Sequence, residues 1–523
     1  MTATSTAYRS GLPAGHDGFA QVLRAEWTKF WTVRGWIIGL IVAALVTTLI
    51  SVLSALGQHS GSCVGPDPQH LKCTVGHPYV PTGPDGEAVS DSFFFVHQPM
   101  TGNGSITARL TSLTGATSAL GMNIGQPGNP LAGTRPVLAP WAKAGVIIKQ
   151  SLRQGSAYAA VMATGAHGVR MQYNYTHDSP GLPGRVSAAA PRWLRLTRSG
   201  STLTGYDSVS GSRWTKIGTI RLAGLRATVQ VGLFVNSPVS FQVVSAGSTS
   251  LATGVFDHVS GAPSAWRGGD IGPNSMYPIL TDGHYQQSRG TLTVSGSGDI
   301  APDPGGGLFG GDTLQSSLLG VLAGLIALIV VATLYITAEY RRGLIRVTLA
   351  ASPRRGRVLA AKAIVIGTVT FVTGLVATAI AIPLSRHILA GNGNYLFPAD
   401  PVTDLRVIVG TAALLAVAAV AVLALGTILR RSAGAVTAGI VLLVLPFVLG
   451  TALPGAGQWL MRLTPAAAFA VQQTIPAYPQ VSYTYNVANG FYPLTPWAGF
   501  AVLCAYAALA LGLAFYLLRR RDA

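Results

Sequence analysis

The sequence predicts two fold classes in one chain: a membrane all-α domain of six helices, and an all-β sandwich inserted between the first and second spans. Three observations predict it. Only 10% of the 523 residues are charged and mean hydropathy is +0.42, the composition of a chain partly embedded in lipid. Uncharged apolar stretches run at 35–56, 313–337, 363–385, 407–429, 432–453 and 497–518, each near the roughly 20 residues a helix needs to cross the hydrocarbon. Between the first two of them, residues 57–312 are polar, turn-rich and broken into short alternating runs, the pattern of antiparallel strands.

Residues 1–34 precede the first span. Within them, GFAQVLRAEWTKFWTVRGW (18–36) places Phe19, Val22, Leu23, Trp27 and Phe30 on one helical face and Arg24 and Lys29 elsewhere, which suits a helix lying in the membrane interface. The first span has a longer apolar core than the roughly 7–15 residues of a signal peptide, so it reads as uncleaved, with Ala55-Leu56-Gly57 a weak cleavage candidate.

In the insert, alternating runs such as 144–149, 158–163, 193–198, 201–207 and 228–235 predict a sandwich over about 90–260. Gly200 and Gly211 fall where hairpins require positive φ. Trp193, Trp214, Tyr173 and Tyr206 have rings suited to stacking on a sugar, but cross-strand or core packing is the commoner role for strand aromatics, and no ligand is assigned. His177-Asp178 and Asp257-His258 are adjacent pairs whose side chains point apart on a strand, against a hydrolytic dyad. Cys63 and Cys73 stand close together in Gly- and Pro-rich sequence and are expected to pair on an oxidising outer face, stabilising a short loop by about 2–3 kcal/mol. Cys504 lies in the last span and reads as a buried small residue. Residues 295–312 read as a Gly/Pro/Asp linker into the second span.

Orientation follows the cations. Arg9, Arg24, Lys29 and Arg34, then Arg341, Arg342, Arg346, Arg354, Arg355, Arg357 and Lys362, then Arg430 and Arg431, and finally Arg519, Arg520 and Arg521 all fall on one side. Both termini are therefore expected in the cytoplasm of a bacterial cell, with 57–312 outside. The charge reads as topology and attraction to anionic lipid rather than nucleic-acid binding, because no basic, aromatic-interleaved domain lies on the inner side.

The stretch AEYRRGLIRVTLAASPRRGRVLAAK (338–362) has an acidic residue at a span end, a Gly four residues on, an apolar helical run and then Ser-Pro with more cations. It is similar to the cytoplasmic loop after the second span of type-2 ATP-binding-cassette exporter permeases, whose coupling helix sits on the ATPase. The resemblance implies an ATPase-coupling role for Glu339, Arg341, Arg342, Gly343, Leu344, Thr348, Leu349, Ser352, Pro353 and Arg354. It extends over 18–56, which resembles the family's elbow helix and first span, and over 313–523, where the Pro- and aromatic-rich stretch 453–496 takes the place of small outer helices. The insert departs from that pattern; its segments 141–149 and 192–218 resemble the concanavalin-like jelly rolls of lectins, glucanases and laminin-G-type modules.

No GxxxxGK[ST] phosphate loop is present in the sequence, so ATP and magnesium are expected on a separate ATPase subunit, and this chain is expected to hold no cofactor and no metal. The spans carry almost no ionisable groups, which argues against an ion-coupled carrier or an intramembrane enzyme. The expectation is a permease subunit, not itself an enzyme, exporting an apolar or amphiphilic cargo (lipid, peptide or natural product) as a homo- or heteromeric dimer with an ATPase partner. The alternative is a membrane-anchored sensor whose sandwich recognises a cell-surface glycan.

Overall fold

In the computed structural model the described residues are 18–59, 61–64, 72–75, 80–118, 134–238, 240–243, 246–248, 250–260, 266–272, 283–305, 313–341, 343, 354–481 and 487–520. Among them are six helices long and apolar enough to cross a membrane. An amphipathic helix α1 (Phe19–Thr32) leads into α2 (Arg34–Gly57). After the sandwich come α3 (Gly320–Arg341), α4 (Arg355–Gly391), α5 (Pro401–Leu429) and α6 (Ser432–Ala452). A short α7 (Pro454–Leu463) and the last long helix, α8 (Pro496–Arg520), complete the set.

The helices pack through one apolar core that includes Leu328, Tyr335, Ile366, Leu415, Val422 and Phe469. α2 and α3 approach closely because Gly320 and Gly324 face Thr47: a side chain on either would collide with Thr47, and the Gly320 N–H donates to Ser51 Oγ at 3.2 Å. Pro446, which cannot donate a backbone hydrogen bond, follows a π-helical turn over Ile440–Val444 that loosens α6. The far end of α4 is tied to α2 by Asn392, whose Nδ2 donates to the carbonyls of Ala55 and Gln58 at 3.0 and 3.1 Å.

In chain order the strands fall between α2 and α3. A seven-stranded sheet runs His177–Pro180, Val169–Tyr173, Tyr158–Thr164, Lys143–Lys149, Thr228–Asn236, Phe93–Thr101, Arg267–Ile271. The second sheet runs Thr215–Arg221, Thr202–Ser208, Arg192–Ser199, Gly104–Ser118, Ser250–Ser260, Thr291–Gly296, His284–Ser288, with Thr134–Arg135 added beside Gly104–Ser118. Every pairing is antiparallel, and Val96, Ile106, Leu110, Val146, Val161, Leu194, Leu196, Val231 and Phe256 fill the space between the sheets. Alternation does the sorting: in Arg192–Ser199, Leu194 and Leu196 turn inward while Trp193, Arg195 and Thr197 do not.

Some features depart from the sequence reading and others follow it. The sheets continue to Pro302, because Thr291–Gly296 joins the second sheet and Ile300–Pro302 pairs with Val89–Asp91, so the first part of the stretch read as linker is strand. That small pair covers a second apolar layer on the back of the seven-stranded sheet, formed by Phe93, Phe95, Ile147, Tyr158 and Phe234. Trp193 and Trp214 lie outside the core, half-buried beneath arginines: Arg109, directly opposite Trp193 on the neighbouring strand, stands 5.6 Å from its ring centre, which is the cross-strand packing that is the commoner role of strand aromatics, and the Arg195 guanidinium stands 3.8 Å from that of Trp214. Asp257 and His258 meet at 3.1 Å, since His258 adopts φ 47° where the strand is irregular and loses the usual alternation. Cys63 stands directly opposite Cys73 in the strand pair Gly61–Val64 and Lys72–Val75, while their side chains lie outside the described residues.

Candidate functional site

The segment joining α3 to α4 is shorter than 338–362. Glu339 lies in the last turn of α3 and Lys362 in the third turn of α4, because their charges are neutralised inside the protein and the helices continue through them. Lys362 Nζ donates to Glu26 Oε2 and to Glu339 Oε1, each at 2.6 Å. Lys29 also pairs with Glu339, and Tyr335 Oη donates to Glu26 Oε2 at 3.1 Å. Two carboxylates thus meet two ammonium groups. Lys362 is 1% exposed, Glu339 2% and Glu26 4%, so three of the four charges are inside.

Each element places its residue for a local reason. In α1, Glu26 and Phe30 are four residues apart and share the buried stripe, while Trp27 and Trp31 are turned outward. Of the face read as interfacial, Val22, Leu23 and Phe30 pack against the protein, while Phe19 and Trp27 are exposed. Phe30 and Trp36 flank Tyr335 with ring centres 5.4 and 4.9 Å away, and Lys362 stands 4.9 Å above the same ring. The aromatic rings cover one side of the buried part of the cluster, while Lys29 remains partly exposed. Glu339 Oε2 is buried with no hydrogen-bond partner among the described residues, so Lys29 and Lys362 together hold this carboxylate through one oxygen.

Of the other residues assigned to coupling, Arg341 and Arg354 are exposed at the ends of α3 and α4. Gly343 is exposed with φ 68°, a backbone shape suited to glycine, and its N–H donates to the Tyr340 carbonyl at 3.3 Å. Arg342, Leu344, Thr348, Leu349, Ser352 and Pro353 lie outside the described residues. The start of α4 is also braced from the other side, where Arg355 donates to the Leu518 carbonyl at 2.6 Å and Gly356 lies against the Phe515 ring.

Residues 154–523 match the family model described as ABC-2 family transporter protein. The chain belongs to that family. It is accordingly a multi-pass membrane protein and a permease in ABC transport, a transport subunit rather than a catalytic one, and membership implies an ABC ATPase partner. No curated protein matches this ABC-2 chain. Among solved structures, two crystal structures of scytalido-glutamic peptidase with transition-state analogues are similar at 8% identity, covering 40% and 39% of this chain and 98% of each peptidase, with TM-scores of 0.27 and 0.22. A functionally unknown protein from Saccharomyces cerevisiae is similar at 12% identity over 40% of this chain and 99% of its own, with a TM-score of 0.20. At those TM-scores the likenesses carry no argument about the ABC-2 protein.

Glu26 and Tyr335 were not singled out in the sequence. A signal for Glu26 was there: an acid flanked by Val22 and Phe30 at four-residue spacing on an otherwise apolar stripe. For Tyr335 nothing in the sequence distinguished it from other apolar-span residues.

Proposed function

We propose that this ABC-2 permease exports an apolar or amphiphilic cargo outward across a bacterial cytoplasmic membrane, as a dimer driven by a separate ATPase that docks on the segment between α3 and α4. The observation that carries the reading is the ion cluster of Glu26, Lys362 and Glu339. It joins α1 to the end of α3 and the start of α4, the two helices that leave the docking segment. Displacement of that segment by nucleotide-driven closure is then delivered to three helices as one body, because separating them strands a buried charge. In this reading Arg341, Arg342, Gly343, Leu344, Thr348, Leu349, Ser352, Pro353 and Arg354 meet the ATPase, and Glu339 acts beneath them as an internal anchor. The scarcity of charge through the spans supports an apolar cargo, and the Arg-rich ends support a cytoplasmic placing of both termini with the sandwich outside.

Leu349→Asp tests the docking. A carboxylate introduced at an apolar contact loses its hydration without gaining a partner. Co-purification of the ATPase and stimulated ATP turnover are expected to fall at least tenfold while membrane insertion is unchanged. An unchanged complex and turnover would overturn the coupling role and favour a membrane-anchored sensor whose sandwich reads a surface glycan.

A further inference from the structure

The strand Lys143–Lys149 buries a lysine at each end, and both are 0% exposed on the back of the seven-stranded sheet. At one end, Lys149 Nζ donates to Asp91 Oδ2 at 2.7 Å, and that oxygen also receives Tyr175 Oη at 2.7 Å and the Gly155 N–H at 2.8 Å. This is an ion pair supported by neutral donors. The other end is built differently. Lys143 Nζ donates to Asp299 Oδ1 at 2.8 Å, and the carboxamide nitrogen of Asn236 donates to the same oxygen at 3.2 Å. Asn236 stands directly opposite Lys143 on the neighbouring strand. An amine, a carboxamide and a carboxylate therefore share one site at 0%, 0% and 1% exposure.

We propose that Lys143 and Asn236 join as an intramolecular amide, with Asp299 carrying the proton. The site has the three groups this reaction needs and is closed to bulk water, which would otherwise solvate the amine. Asn236 Oδ1 and Asp299 Oδ2 are both buried with no hydrogen-bond partner among the described residues, so the unreacted arrangement leaves two acceptors unpaid by any donor. In the reaction one proton passes from the Lys143 ammonium to Asp299. The freed Nζ attacks Asn236 Cγ, the Nζ–Cγ bond forms, the Cγ–Nδ2 bond breaks, and Nδ2 leaves as ammonia with a second proton from Nζ. No electron transfer and no further reactant is involved. A buried ammonium–carboxylate pair is replaced by a secondary amide and a neutral carboxylic acid, which removes the desolvation cost of two charges. The acid then has a proton to donate, matching the amide oxygen that lacked a donor.

The bond would link the central strand of the sheet to its neighbour Thr228–Asn236 at the end where Asp299 and Ile300 begin the return towards α3, and Lys143 Nζ already donates to the Ile300 carbonyl at 2.6 Å. Lys149 has no such chemistry, since no carboxamide bonds the Asp91 carboxylate among the described residues; Gln154 Nε2 donates to the Asp91 backbone carbonyl instead, at 2.9 Å. The inference concerns the sandwich alone and does not depend on the transport reading.

The test is mass spectrometry of the full-length chain purified in detergent, intact and after trypsin, which does not cut after an acylated lysine. The expected result is an intact mass lower by one ammonia and a branched peptide joining Lys143 to Asn236, with Lys149 unmodified. Asp299→Ala is expected to retain its full mass. A wild-type chain of full mass that is cut after Lys143 would overturn the proposal, and so would loss of one water with a link from Lys143 to Asp299. The wild-type measurement decides by itself even if Asp299→Ala does not fold; ammonia loss persisting in that variant would overturn the role given to Asp299.

Discussion

Lys362 Nζ lies 2.6 Å from Glu26 Oε2, a contact between residues 336 positions apart. The sandwich occupies most of that separation, so this ion pair joins parts of the membrane domain that lie on either side of the insert in the chain. Glu339 enters the same site from only 23 residues away, at 2.6 Å. The cluster holds the amphipathic helix against the two helices of the coupling region, and its strength depends on every charge keeping a partner.

Removing Lys362 alone should therefore be far more harmful than removing a complete pair. Lys362→Met leaves Glu26 with only the Tyr335 hydroxyl, and loss of one partner from a buried pair costs about 3–5 kcal/mol. In the Glu26→Gln, Lys362→Met double variant, Glu339 keeps Lys29 and no uncompensated carboxylate remains at position 26. Thermal midpoints of the purified proteins should show a large fall for Lys362→Met and a substantial recovery in the double variant. Additive losses would mean that Glu26 and Lys362 do not stabilise each other.

The helices and the alternating strands were legible because both signals are periodic and local. Six uncharged runs and the inward Leu194 and Leu196 against outward Trp193 and Arg195 are visible in the sequence itself. The candidate site was only half legible. Glu339 stood out at a span end, yet its side chain turns to Lys362 and Lys29 inside the protein, and the sequence does not reveal that a charge beside a span is paired internally. Lys143 and Lys149 were harder still. They look like surface ends of a strand until the pair Val89–Asp91 and Ile300–Pro302 covers them, an arrangement that depends on contacts spanning more than half of the insert.

A topology test follows from the turn at Arg289–Gly290, which is exposed and has φ of 48° and 81°. Ile300, by contrast, is fully buried and a poor place for an insertion. An epitope inserted between Arg289 and Gly290 should be labelled on intact cells, and one fused after Ala523 only after permeabilisation, because the Arg519 to Arg521 cluster favours the cytoplasmic side. Labelling of the C-terminal epitope on intact cells would reverse the assigned orientation.

The register that sets Cys63 opposite Cys73 brings their backbones to the separation of a cross-strand pair. On an oxidising outer face these residues should form a disulfide. Maleimide should then leave both unlabelled in the denatured chain until reductant is added, whereas Cys504 should label on denaturation alone. Labelling of all three without reductant would exclude the bond.

The last prediction concerns alkaline stability of the sandwich. Burial, and after it the charge of Asp91, pushes the Tyr158 hydroxyl well above its ordinary range. An unfolded tyrosine ionises near pH 10, so above that pH the unfolded chain releases a proton that folded Tyr158 retains, and stability must fall as pH rises. Burial raises Tyr175 in the same sense and acts on Lys149 in the opposite one, lowering its proton affinity, so the net slope of the wild type mixes these with Tyr158. Comparison with Tyr158→Phe separates them, because Tyr175 and Lys149 are common to both proteins. Tyr158 Oη has no hydrogen-bond partner among the described residues, so phenylalanine should cost little near neutral pH. Above about pH 10 the variant should gain on the wild type by about 1.4 kcal/mol per pH unit, one proton's worth. Unfolding midpoints of the full chain in detergent, measured across that range, check the sign: parallel curves would show that Tyr158 ionises equally in both states and is not enclosed as described.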